Sequence, residues 1–324
     1  MGSMKPDTPP PRLLDDVIPD VGKVVEILAS AAPYTPLGGW FWPGQDEAVP
    51  TRAMWFQNDW VHGDLKVPGS DLFLDHPEVT QAAKEFYGAE VIVPHTLYVN
   101  LMVGVEKCGP AHTDNPVFEG RNRGNTPMWL LRTMFWSGLF ERWSIRQATS
   151  IWWMNDVEGG GLRYWPEGPD RPPTRHFGRM ANTALVGDNH GMFHQVEEVG
   201  PFGLPSQLVT ARAELAPARD GSEDWEVLDR GEVVYRAPLA GFRISVLWKA
   251  HVYDSEEDRE ARQSRELSLE EVARILSEDL GTKGSTLRLD LDCLDDPLQS
   301  EAFSEVYPEA HPIDAGPSIF DAYS

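Results

Sequence analysis

From Thr96 to Trp248 the chain breaks into short apolar stretches punctuated by glycine and proline, and this pattern constrains the fold most. The predicted strands are Thr96–Val103, Thr149–Met154, Thr183–Val186, His194–Val199, Gln207–Leu215, Glu226–Leu228, Glu232–Arg236 and Phe242–Trp248. Asp220-Gly221 and Asp229-Arg230-Gly231 supply turns between the later ones. Helical patterns flank this region. Val21, Val24, Val25 and Leu28 recur at helical spacing within residues 13–32. Asp75 as cap, Pro77 in the first turn, Glu78 completing a capping box and Gly88 as stop predict a second helix. A third runs from Leu269 to Leu280, with Ser268 and Glu271 as its box, Val272, Ile275 and Leu276 on one face, and Gly281 as stop. The expected class is mainly β with flanking α-helices, a barrel or sandwich with helical buttresses.

At 324 residues the chain can bury a large core, and no repeat or low-complexity linker divides it. Its 28 basic and 51 acidic residues give a net charge of −23, which repels phosphate backbones and argues against nucleic acid as a partner. The charge serves solubility, or helps draw in a cationic substrate. Cys108 and Cys293 are the only cysteines, too few for a disulfide framework or a thiolate metal site. No apolar run approaches the roughly 18 residues of a membrane span. Met1-Gly2-Ser3 reads as an added leader before a native start at Met4, followed by Lys5 and a proline-rich stretch without an apolar signal core. A cytoplasmic protein is the default expectation. The tail after Asp290 is acidic and shows no clear period.

Two His-x-Asp pairs occur, His62-Gly63-Asp64 and His112-Thr113-Asp114. In a strand, residues two apart face the same way, so such a pair can present imidazole and carboxylate to one ion. Either pair alone reads more readily as a hydrogen-bonded turn, and context separates them. His62 lies in a loop-like stretch with no obvious strand to hold it. His112 follows the apolar run Leu97–Val103 and a Gly-Pro turn. Downstream come Ile151-Trp152-Trp153-Met154-Asn155-Asp156, then Gly159-Gly160-Gly161-Leu162, then Phe193-His194-Gln195-Val196, and finally Arg243-Ile244-Ser245.

In this order the motifs resemble those of the iron(II)/2-oxoglutarate-dependent oxygenase superfamily: His-x-Asp, an Asn-Asp-like turn before Gly-Gly-x-Leu, a distal His, then Arg-x-Ser. The likeness covers about residues 90–250. It implies a double-stranded β-helix (jelly-roll or cupin-like) core, with iron(II) held by His112, Asp114 and His194, and with 2-oxoglutarate and dioxygen as co-substrates. Two histidines and a carboxylate leave three octahedral positions open for a bidentate 2-oxo acid and dioxygen. The reaction implied is oxidation, most commonly hydroxylation, of an unactivated C–H bond of a small molecule, with release of succinate and CO2. Asp114 fills the position that halogenating members leave for chloride. His190 is the alternative to His194 as distal ligand, but it sits in a turn-like Gly187-Asp188-Asn189-His190-Gly191 sequence, whereas His194 opens an alternating stretch. His176 and His251 are expected to be structural or surface residues.

By the same resemblance Arg243 and Ser245 clamp the distal carboxylate of 2-oxoglutarate, and Asn100 adds a polar contact. Arg243 follows His194 later than in the family pattern. Residues 201–240 are therefore read as an inserted hairpin, which leaves Arg212 or Arg236 as alternative anchors. Domain organisation follows: a single catalytic domain over 1–324, with a helical buttress at 13–95, a core at 96–250 carrying insertions 115–148 and 201–240, and a C-terminal helix and acidic tail at 251–324. Six of the 12 tryptophans fall between Trp129 and Trp165. This predicts that 115–148 forms a lid or wall over the metal, with Phe118, Arg121 and Trp152 touching substrate; the alternative is a buttressing amphipathic helix whose aromatics are core. The rival functions are a cupin-like barrel that binds metal or ligand without turnover, and a His2Asp zinc hydrolase, for which Arg-x-Ser has no general use.

Overall fold

A computed structural model describes residues 9–37 and 52–319. In chain order its main elements are β1 (Arg12–Asp15), α1 (Val21–Ser30), β2 (Trp55–His62), α2 (Pro77–Tyr87), β3 (Val91–Met102), α3 (Met128–Ser137), β4 (Arg146–Trp153), β5 (Leu162–Tyr164), β6 (Thr174–His176), β7 (Thr183–Gly187), β8 (His194–Val196), β9 (Glu214–Pro217), β10 (Asp224–Asp229), β11 (Glu232–Pro238), β12 (Arg243–Tyr253), α4 (Glu256–Gln263), α5 (Leu269–Thr282) and α6 (Pro297–Val306). The large sheet is antiparallel with order β1-β7-β4-β12-β3-β2, and two-residue strands at Thr35–Pro36 and Leu65–Lys66 bring it to eight. A smaller sheet, β8-β5-β6, faces it. The pair makes the double-stranded β-helix core.

Strand alternation divides the side chains between two layers. On β12, Ile244, Val246, Trp248 and Ala250 point away from the small sheet into the main core, with Trp152 and Ala148 of β4 and Leu97 and Val99 of β3. Val24 and Leu28 of α1 and Val79 and Ala83 of α2 cover this face. The opposite face supplies Ile151, Trp153, Leu185 and Leu247, which close on Leu162 and Met180 from the small-sheet side. Arg243, Ser245 and Lys249 share that inward parity, so the polar residues of β12 are built into the barrel.

A third sheet, β9-β10-β11, fills the 201–240 region, and Arg230 and Gly231 turn its second hairpin with φ of 54° and 86°. A separate apolar cluster joins α3, α5 and α6 through Leu130, Leu131, Met134, Leu276 and Phe303, with Phe118 and Phe140 from the chain around α3.

Several expectations need correcting. The N-cap of α2 is His76 rather than Asp75, which instead ends a short helix at Asp71–Leu74. Helix α5 runs through Gly281 to Thr282. The stretch holding His62 is a strand, paired to β3 with His62 exposed at its end. The predicted strand Gln207–Leu215 is two, Leu208–Val209 and β9. The acidic tail contains α6, which amphipathic periodicity failed to flag because few of its residues face the cluster. Beyond it Ile313 bonds Pro169 and Ile319 bonds Cys108, strapping the tail to the barrel. The proposed leader at residues 1–3 and the start at Met4 lie outside the described residues.

Candidate metal centre

His112 reaches the centre from a segment that adds itself to the small sheet. Its backbone and that of His194 exchange bonds of 3.1 and 3.0 Å, and Asp114 N–H donates to Asn189 O at 2.7 Å. This pairing places the two imidazole rings 4.3 Å apart. Ligand atoms of His112, Asp114 and His194 all lie within 4.8 Å of one another. Among the described residues they are the one His, Cys, Asp or Glu group that converges in this way.

Hydrogen bonds select the nitrogen each imidazole presents. His112 Nδ1 lies 2.9 Å from Pro110 O and His194 Nδ1 lies 3.4 Å from Met192 O. A carbonyl only accepts, so both Nδ1 atoms carry the proton and both Nε2 lone pairs face the cluster, as a metal requires. Burial pushes the His194 imidazole down to about 3, with His112 adding to the effect, and burial lowers His112 too. Both are therefore neutral near pH 7. Burial alone would raise the Asp114 carboxyl, but Lys249 and the surrounding histidines hold it well below the usual carboxylate range. Two neutral imidazoles and one ionised carboxylate form a donor set that fits iron(II), a borderline ion that accepts nitrogen and oxygen together.

Arg243 lies deeper in the barrel with only 2 % of its surface exposed. Its Nε donates to Gly160 O at 2.7 Å and its Nη1 to Ser245 Oγ at 2.8 Å. Nη2 is buried with no partner, and among the described residues no carboxylate pairs with the guanidinium. Burial lowers its pKa to about 9, so it keeps its charge at neutral pH. Ser245 pairs in register with Asn100 on one side and Trp153 on the other, and Asn100 Oδ1 is also buried without a partner. A permanent cation with a free donor, next to further polar groups, fits a carboxylate-bearing ligand such as 2-oxoglutarate. The Gly159-Gly160-Gly161 run gains a reason here. A Cβ on Gly160, whose φ is +70°, would meet Arg243 Cδ at 2.9 Å, and one on Gly161 would collide with Glu197 Oε2.

The alternative anchors are elsewhere. Arg212 is exposed, and Arg236 is exposed on the hairpin and paired with Asp220, Asp224 and Glu226. His190 is buried close enough to bias the Asp114 carboxyl but is not in the converging group. His176 lies against Trp153, with ring centroids 4.7 Å apart. Three substrate residues expected from the sequence lie otherwise. Trp152 faces the main core, packed on Phe73 and His76 at centroid distances of 5.1 and 5.0 Å. Phe118 is 2 % exposed in the helical cluster. Arg121 pairs with Glu266 at 2.8 Å, and its backbone bonds Phe118. Helix α3 buttresses, although Trp136 stacks at 5.9 Å on Phe193, next to His194.

Sequence reasoning missed two inward residues, Trp153 and Lys249. Lys249 Nζ lies 3.0 Å from Asp114 Oδ2. The same alternation that placed Arg243 and Ser245 on one face would have found it. A bulge in β3 opposite Lys249 and Ala250 also brings His95 against His251, with ring centroids 4.1 Å apart.

No family model matches the chain, and no curated protein matches it. Among solved structures it is similar to an oxidoreductase of the 2OG-Fe(II) oxygenase family from Burkholderia pseudomallei, at 12 % identity and TM-score 0.40 over 76 % of this chain and 85 % of that one. It is also similar to a Pseudomonas putida prolyl-4-hydroxylase, at 14 % identity and TM-score 0.38 over 76 % and 94 %. A third is a prolyl hydroxylase from Trichoplax adhaerens in complex with a peptide of hypoxia inducible factor, at 10 % identity and TM-score 0.39 over 78 % and 86 %. Each is a low-identity likeness of chain path.

Proposed function

We propose that the chain is an iron(II)- and 2-oxoglutarate-dependent oxygenase that oxidises, most simply by hydroxylation, a C–H bond of a small molecule. The observation that carries the reading is the coexistence, in one barrel, of a converging His2Asp set and a buried arginine whose Nη2 has no partner. A metal-binding barrel without turnover needs the first feature and has no use for the second.

His112, Asp114 and His194 would hold the iron, and Arg243 with Ser245 would take the distal carboxylate of 2-oxoglutarate. When bound, iron and co-substrate supply the oxidising chemistry, releasing succinate and CO2. The protein's part is placement and exclusion of water. Arg243 offers a charge-assisted bond in a site already stripped of solvent, which strengthens it. Ile151, Trp153, Leu185 and Leu247 line the barrel interior and keep it dry.

The test is a screen for succinate from the purified protein with iron(II), 2-oxoglutarate and air, across amino acids, peptides and small natural-product scaffolds. Substrate-stimulated succinate that needs both iron and 2-oxoglutarate is expected. Turnover supported by zinc without oxygen would replace this reading with the hydrolase. Iron binding with no affinity for 2-oxoglutarate would replace it with the ligand-binding barrel.

A further inference from the structure

The two oxygens of Asp114 have different surroundings. Oδ1 faces His194 Nε2 at 4.0 Å, on the side where the ligand atoms converge. Oδ2 lies 3.0 Å from Lys249 Nζ and accepts from Thr149 Oγ1 at 3.5 Å. Neither of these partners is accidental in position. Lys249 and Thr149 are direct register partners on β12 and β4, both with inward parity. The Lys249 ammonium also lies 5.7 Å from the centre of the Tyr98 ring, whose face attracts cations. Sheet register and the ring together hold the ammonium where it meets one carboxylate oxygen.

We propose that Lys249 is a positioning residue that commits Asp114 Oδ2 and so leaves Asp114 a single oxygen for the metal. The proposal rests on the metal reading above. A carboxylate with both oxygens free can chelate a divalent ion through both. An oxygen that accepts a charge-assisted bond from an ammonium is turned away and is a weaker donor. The consequence is a matter of counting. An octahedral ion held by two imidazoles and one carboxylate oxygen keeps three positions, enough for a bidentate 2-oxo acid and dioxygen. Capture of the second carboxylate oxygen would leave one too few.

The measurement uses manganese(II) in the full-length protein without 2-oxoglutarate, because water-proton relaxation reports the waters bound to that ion. Lys249→Met is expected to lose about one third of the inner-sphere relaxivity, as one of three open positions is filled. Lys249→Arg, which keeps the cation, should retain it. Lys249→Gln is measured alongside, so that poor folding of the methionine variant does not void the result. Titration with 2-oxoglutarate should then show roughly tenfold weaker binding to Lys249→Met, the size usual for loss of a partner to a ligating side chain. Wild-type relaxivity in both uncharged variants overturns the proposal. With unchanged 2-oxoglutarate affinity, Lys249 is then only a counter-charge; with lost affinity, it is the co-substrate anchor instead. If the wild-type manganese protein binds no 2-oxoglutarate, the oxygenase reading fails, while relaxivity still decides the role of Lys249.

Discussion

The helical cluster pairs its buried charges, whereas the barrel beside it pairs one, Asp114 with Lys249, and leaves another, Arg243, without a carboxylate partner among the described residues. In the cluster around α3, α5 and α6, a charge taken out of water meets an opposite one: Glu119 pairs with Arg262 and Arg265, and Arg132 with Glu309. Trp129 likewise donates its indole N–H to Leu294 O at 2.8 Å. In the barrel, Asp114 pairs with Lys249 through Oδ2 and turns Oδ1 toward His194, while Arg243 is buried with one donor unused and no opposite charge among the described residues. Burying an uncompensated charge costs several kcal/mol in a real protein, so a fold that retains one gains little stability from it. The cluster holds the molecule together. The barrel keeps groups ready for something that arrives from outside.

That contrast breaks most sharply at the metal. Alanine at His112, Asp114 or His194 should take bound iron from about one ion per chain to none, since each removes a ligand of the proposed three-ligand set. Elemental analysis after dialysis checks it, with His62→Ala as a control that should bind normally. If His190→Ala loses the ion and His194→Ala keeps it, the ligand set is misassigned.

Next in size is the scaffold. Phe118→Ala should destabilise the protein by about 3–5 kcal/mol, the usual cost of emptying an aromatic site in a core. Its metal content should stay intact under conditions where it remains folded. Denaturant unfolding gives the number, and a wild-type midpoint would restore Phe118 to the substrate wall.

Arg243→Ala should do the reverse. Loss of a buried charge-assisted pair typically costs about 2–5 kcal/mol, which raises the 2-oxoglutarate requirement at least ~30-fold. Iron binding should survive, and the melting temperature of the ligand-free protein should hold or rise. A variant that melts early yet needs no extra 2-oxoglutarate would place Arg243 with the scaffold.

The smallest effect sharpens the comparison on β12, two residues beyond Lys249. Burial pushes the His251 imidazole down from 6.5 to about 4. The unfolded chain therefore takes up its proton first as pH falls, and stability is lost between about 6.5 and about 4. His251→Gln should flatten that part of the melting-temperature profile of the metal-free protein. An unchanged slope would mean that His251 is not held neutral by burial.

How much of this was legible depended on whether the signal was local. His112, Asp114, His194, Arg243 and Ser245 could be singled out because strand periodicity and short motifs carry them, and the structure brings the first three together. The first and third helices announced themselves by spacing, and Ser268 caps its helix as expected by accepting from Glu271 N–H. Phe118 and Trp152 were misplaced for one shared reason. An aromatic side chain looks the same in sequence whether it lines a ligand site or a core, and only the facing layer decides. Strand β2 was missed because Asn58 and Asp59 interrupt its apolar pattern; it is held by pairing with β3, a long-range contact.

The sequence by itself determined the β-rich class, the parity of β12 and the residue types at the centre, because these follow from periods of two and from chemistry carried within a few residues. Tertiary structure alone decided which oxygen of Asp114 meets Lys249, which face of β4 is core, and that Arg243 has no counter-charge among the described residues. Those facts depend on which strands become neighbours, and no local propensity encodes a partner more than a hundred residues away.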